Sequence, residues 1–119
     1  MDLIYSKMFL MALISTCLFE TFCLFLLIRF VFKINKDKVT NLILIFAGIF
    51  ASFATLPYVW FIFPELITNR SFYILISEIF AVIIEAILYY FIFKISFKKA
   101  LLISFICNLF SFILGLFIF

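Results

Sequence analysis

Three carboxylic acids and one amide lie where the surrounding chain is almost wholly apolar: Glu20, Glu78, Glu85 and Asn108. Each sits inside a run long enough to cross a bilayer. A charged side chain at that depth costs about 2.5–3.5 kcal/mol even on the most lenient insertion scale. Acids kept at such a cost have two uses. They can form a proton or cation relay, with Asn108 as a neutral donor and acceptor. Alternatively, they can hydrogen-bond helices together or pair with a basic residue on a partner's helix.

Helical spacing groups these residues with others. Thr16, Glu20 and Cys23 share one face of a helix, because positions three and four apart are neighbours. Glu78 and Glu85 are seven residues apart, nearly two full turns, so they point the same way about 10 Å apart along the axis. Ala81 lies between them and Tyr89 follows one turn beyond. Ser104, Asn108, Ser111 and Gly115 form a stripe of small and polar residues at 4-3-4 spacing, the seam expected of left-handed helix packing. Ala47, Ala51 and Thr55, with Gly48 and Ser52 beside them, make a small-residue ridge that a neighbouring backbone can approach closely. At about 1.5 Å per residue from one end of the spans, Glu85 and Asn108 lie about 12 Å deep, Glu20 about 18 Å and Glu78 about 22 Å. All four fall in the central band of a core about 30 Å thick. The expected site is therefore Glu20, Glu78, Glu85 and Asn108, supported by Thr16, Ser104, Ser111 and Tyr89.

Other chemistry finds little purchase. The chain has no histidine. Its three cysteines, Cys17, Cys23 and Cys107, show no C-x-x-C spacing and read as small packing residues. Zinc, haem and iron–sulfur ligation lack a donor set, so no metal and no cofactor are expected. No G-x-S-x-G, H-E-x-x-H or Walker A pattern occurs, and the serines have no base. Glu78 and Glu85 are too far apart for an aspartic dyad, which leaves Glu20 as the acid that can approach either one. The expectation is that the protein is not an enzyme. A nucleic-acid partner would need a soluble basic face, and none is present.

The elements that position these residues are four apolar runs, 8–32, 42–63, 72–93 and 100–119. Together they predict an all-α, polytopic membrane protein: one four-helix transmembrane domain over residues 1–119. Seventy per cent of the chain is apolar and 13% charged, against about 45–50% and 25% in soluble domains, so the bilayer is its solvent. The first run is about 25 residues, longer than the 7–15 of a secretory signal core, and no small-residue cleavage site follows. It is read as a mature helix. Pro57 is expected to break a backbone hydrogen bond and kink the second span.

Charge sets the orientation. Arg29, Lys33, Lys36, Lys38, Lys94, Lys98 and Lys99 fall at one end of the spans, and only Lys7 and Arg70 at the other. The positive-inside rule places loops 33–41 and 94–99 in the cytoplasm and both termini outside, in the cell membrane. Tyr5, Tyr58, Trp60 and Tyr73 fall at the opposite interface, a depth that amphipathic rings prefer. Asn69-Arg70-Ser71 has the form of a glycosylation sequon in a short loop.

In size, in its four helices and in the glutamate within the first span, the chain resembles the small multidrug resistance transporters. The resemblance is one of architecture. Those transporters carry a glycine-rich signature around the glutamate, where this chain reads Thr16-Cys17-Leu18-Phe19-Glu20-Thr21-Phe22-Cys23. Their last helix carries a glycine-bearing dimerisation motif, where this chain offers only Gly115. The resemblance implies transport by an oligomer, and four short helices enclose too little volume for a sizeable path alone. The leading expectation is an oligomeric proton- or cation-coupled carrier of a small solute. The alternative is an accessory subunit that assembles with another membrane protein.

Overall fold

In lipid every backbone N–H and C=O must be satisfied within its own segment, so long apolar runs become helices. The computed structural model describes residues 3–118, and the predicted end of the fourth span, Phe119, lies outside them. Four spans are present and no strand occurs among the described residues. The first joins α1 (Leu3–Leu26) to a wider π-helical turn, Leu27–Val31. The second runs through α2 (Asn41–Pro57), a π-helical turn at Tyr58–Ile62, and the short α3 (Phe63–Leu66). The third is α4 (Arg70–Phe93) and the fourth α5 (Phe97–Ile118). The first span begins at Leu3 rather than at residue 8, so Tyr5 and Lys7 are helical. The bundle measures 45 × 24 × 23 Å, long enough to cross a bilayer with its headgroup regions, about 40–45 Å.

Neighbours run in a ring. Helix α1 packs on α2, α2 on α4, α4 on α5, and α5 back on α1. Within this ring α1 faces α4 across the diagonal. The α1–α2 seam uses the small-residue ridge: Ala47, Gly48, Ala51, Ser52 and Thr55 are all buried, and Gly48 lies directly against Thr21. Ser52 and Thr55 bond back to the carbonyls of Gly48 and Ala51, so their hydroxyls are satisfied within α2. The stripe on α5 packs only in part. Ser104 and Asn108 are buried, Ser111 is half-buried, and nothing lies within 4 Å of a side chain added at Gly115.

Capping and chain reversals follow local chemistry. The Thr40 hydroxyl accepts from the Ile43 N–H at 3.2 Å and starts α2. Asn69 Oδ1 accepts from the N–H groups of Ser71 and Phe72 at 2.9 and 3.2 Å and starts α4, so the sequon asparagine serves as a helix cap. Lys33 and Lys94 end their spans at φ 52° and 55°, the left-handed conformation that turns a chain out of a helix. Arg29 ties the first loop down, donating to the carbonyls of Ile34 and Val39 and to Asn41 Oδ1. At Pro57 the second span continues as a π-helical turn, which accommodates the missing N–H. The Tyr5 and Tyr73 hydroxyls donate to the carbonyls of Trp60 and Val59 in that turn.

The two halves of the bundle are packed differently. The apolar core is concentrated near the basic loops. There Leu24, Ile28, Leu44, Ala47, Phe93, Ala100, Ile103 and Cys107 interlock, with Tyr89 and Phe93 stacked at 5.5 Å. Toward the termini the buried residues thin out to Ala12, Leu13, Ser77 and Ala81, and no residue of the Tyr58–Ile62 turn or α3 is buried.

Candidate functional site

Where the dense half gives way to the open half, side chains from all four spans meet. Glu20 of α1 is 0% exposed and Glu85 of α4 is 2% exposed. The Tyr89 hydroxyl, one turn below Glu85, lies 3.3 Å from Glu20 Oε2 and 3.3 Å from Glu85 Oε1. One phenol therefore joins two carboxyl groups across the diagonal of the ring. Ser111 of α5 donates to Glu20 Oε1 at 3.2 Å. Asn108 Nδ2 donates to Glu85 Oε1 at 3.3 Å and to the Ser104 carbonyl at 2.9 Å. Thr55 Oγ1 lies 3.3 Å from Glu85 Oε2 and 3.0 Å from the Ala51 carbonyl. The Ser104 hydroxyl donates to the Val82 carbonyl at 2.7 Å, which fixes α5 against α4.

Donors are scarce for two acids. Tyr89 and Thr55 have one hydroxyl hydrogen each, and each faces two acceptors. The hydroxyl and amide contacts to the carboxyl oxygens are 3.2–3.3 Å, longer than the roughly 2.7–2.9 Å of charge-assisted bonds between ions, and the two carboxyl groups also lie against each other. Among the described residues no lysine or arginine bonds to either acid. The only basic residue deep in a span is Arg29, about 13 Å along the axis from Glu20, and its guanidinium is engaged with the first loop.

A cavity of about 100 Å³ adjoins the pair, lined by Thr16, Glu20, Thr55, Ser77, Glu78, Glu85, Asn108 and Ser111 among others. It has room for several water-sized groups. Ser77 is buried beside it, and its hydroxyl has no hydrogen-bond partner among the described residues. Among those residues no cluster of three or more histidine, cysteine or acidic side chains has metal-holding geometry.

No protein-family model matches the chain, and no curated protein or solved structure matches it either. The architectural resemblance to small multidrug resistance transporters thus gains no support from them, and function must be argued from the geometry alone.

The structure brings together Glu20, Glu85, Tyr89, Asn108 and Ser111, with Ser104 holding Asn108. Thr16 reaches the cavity wall, without a side-chain hydrogen bond among the described residues. Glu78 stands apart: it is half-buried, and its carboxyl has no hydrogen bond among the described residues. The reason lies in the buried line of α4, which runs Ser77, Ala81, Glu85, Tyr89, Phe93. Steps of four residues advance about 40° each around a helix, so the inward face swings as α4 descends. Glu78 shares the azimuth of Glu85, but at its own level Ser77 is the residue that points inward. Ser77 and Thr55 join the site without being among the residues the sequence pattern marks for it. The four-residue spacing of Ser77, Ala81 and Glu85 was the signal that could have found Ser77.

Proposed function

We propose that this integral membrane protein is a small carrier, acting as an oligomer, whose Glu20–Glu85 pair binds a proton or small monovalent cation during transport of a solute. One observation supports this above the others. Two buried carboxyl groups share a single phenol and have no basic residue to pair with. Ionised acids in a low-dielectric interior must be paired, so the site is stable only with a positive charge supplied from outside the chain. A group that must take up a cation to rest in the bilayer, and stands beside a cavity, is equipped to load and release one. The proposal involves no catalytic step. By the charge asymmetry of the loops, the dense half faces the cytoplasm and the open half faces outward, in the cell membrane.

The assay is gradient-driven flux in liposomes. Purified protein is expected to show flux that Glu20→Gln and Glu85→Gln each abolish while the bundle stays folded. Wild-type flux in both variants would refute the carrier. Loss of a co-purifying membrane protein in those variants, without any flux in wild type, would favour the accessory-subunit alternative. A cysteine placed at Asp37 is expected to resist impermeant thiol reagents on intact cells, and ready labelling there would invert the orientation.

A further inference from the structure

Among the described residues the acids line two hollows that are not equivalent. The enclosed cavity touches Glu20, Glu78 and Glu85. A second, larger groove of about 470 Å³ runs between α4 and α5, from Ser71 near the end where the termini lie to Val82 and Phe105 at mid-depth. It is open on its outer side, the side a bilayer's acyl chains would face, and its walls are apolar. Of the described acids, only Glu78 lines it, and among the described residues Glu78 and Asn108 border both hollows.

Glu20 and Glu85 are buried, and both line the smaller cavity but not the groove. Toward the basic loops the way is closed by the Tyr89–Phe93 stack with Leu24, Ile28, Leu44 and Ile103, all of them fully buried. Toward the groove stand Glu78 and, on the adjoining position of α4, Ser77. The Ser77 side chain is 4% exposed, lies on the cavity wall, and has a hydroxyl without a partner. Burying such a hydroxyl costs free energy unless something comes to meet it.

We propose that Glu78 is a separate cation-binding position, for a proton or a bare monovalent cation, through which the ion enters and leaves the Glu20–Glu85 pair. The groove gives access from the outer half of the bilayer. Glu78 takes the ion first, and the Ser77 hydroxyl and Asn108 line the roughly 10 Å of axial distance over which it passes to Glu85. When the ion is a proton, it leaves the Glu78 carboxyl, whose O–H electron pair stays on that oxygen, and ends on a carboxylate oxygen of Glu85. This rests on the carrier reading for its purpose, but the accessibility it asserts is tested independently.

The experiment treats the protein in proteoliposomes with a lipophilic carbodiimide. The reagent partitions into the bilayer and adds to a protonated carboxyl to leave a stable N-acylurea, which is then located by peptide mass mapping. The adduct is expected on Glu78, with at least tenfold less on Glu20 and Glu85. In the same vesicles Glu78→Gln is expected to slow flux at least tenfold, and Glu78→Asp to recover part of it. Adduct on Glu20 or Glu85 equal to that on Glu78, no adduct on Glu78, or flux in Glu78→Gln within twofold of wild type would each overturn the proposal. A wild-type protein with no flux would overturn the carrier reading instead. The labelling pattern would then still decide whether Glu78 is the open position.

Discussion

Gly48 is where the smallest change should travel furthest. A methyl group added there would stand 3.1 Å from both Cα and Cβ of Thr21, and closer still to its hydroxyl oxygen. Carbon pairs rest at about 3.5–4.0 Å, so α1 and α2 must part by roughly half an ångström. Forced overpacking of this kind costs about 1–3 kcal/mol. The displacement also bears on the site, because Glu20 is the residue before Thr21. Its bond to Tyr89 crosses the ring diagonal at 3.3 Å, and lengthening by a few tenths of an ångström takes it beyond the roughly 3.5 Å at which such a bond ceases to count. Gly48→Ala is therefore expected to lower unfolding free energy by about 1–3 kcal/mol, measured by detergent titration in mixed micelles, and to reduce flux. Adding Thr21→Gly removes the crowding atoms beyond Cα and should restore more than half of the loss. A Gly48→Ala protein of wild-type stability, or one that Thr21→Gly leaves unimproved, would refute the close-approach argument.

Two further substitutions probe the site and the loop that closes the dense half. Tyr89→Phe keeps the stacked contact with Phe93 but removes the hydroxyl joining the two acids. It is expected to cost about 0.6–1.7 kcal/mol of stability and most of the flux, and flux equal to wild type would show that the bridge is dispensable. Arg29→Gln removes guanidinium contacts to Ile34, Val39 and Asn41 and is expected to cost about 1–3 kcal/mol. It should also make residues 32–40 markedly easier to cleave in a limited-proteolysis time course, and unchanged cleavage would show that the loop holds itself.

Hydropathy made the four spans legible because lipid leaves the backbone no alternative to the helix. The convergence of Glu20, Glu85 and Asn108 was legible too, since depth and helical face together place a side chain. What the sequence hid was the way helices cross. Seven-residue spacing aligned Glu78 with Glu85 on α4, yet the neighbours of α4 shift around it with depth, so one acid is enclosed and the other reaches a groove. The stripe on α5 was legible as a pattern, but its end at Gly115 faces open space, because small residues permit close packing without supplying a neighbour. The sequence marks Tyr5 and Tyr73 as interfacial rings. That they hold the carbonyls of a π-helical turn depended on how the chain absorbs Pro57, which composition does not encode.

The contrast between a tightly interlocked half and a slack one gives the surrounding lipid a say in the shape of the molecule. Grooves between helices occur in both halves, so acyl chains of either leaflet would enter the packing, but the interlocked apolar core backs them only at the basic-loop end. Thinning or thickening the membrane should therefore flex the molecule at one end only, like a peg held in a vice. The level at which that flexing begins is the level of the acids.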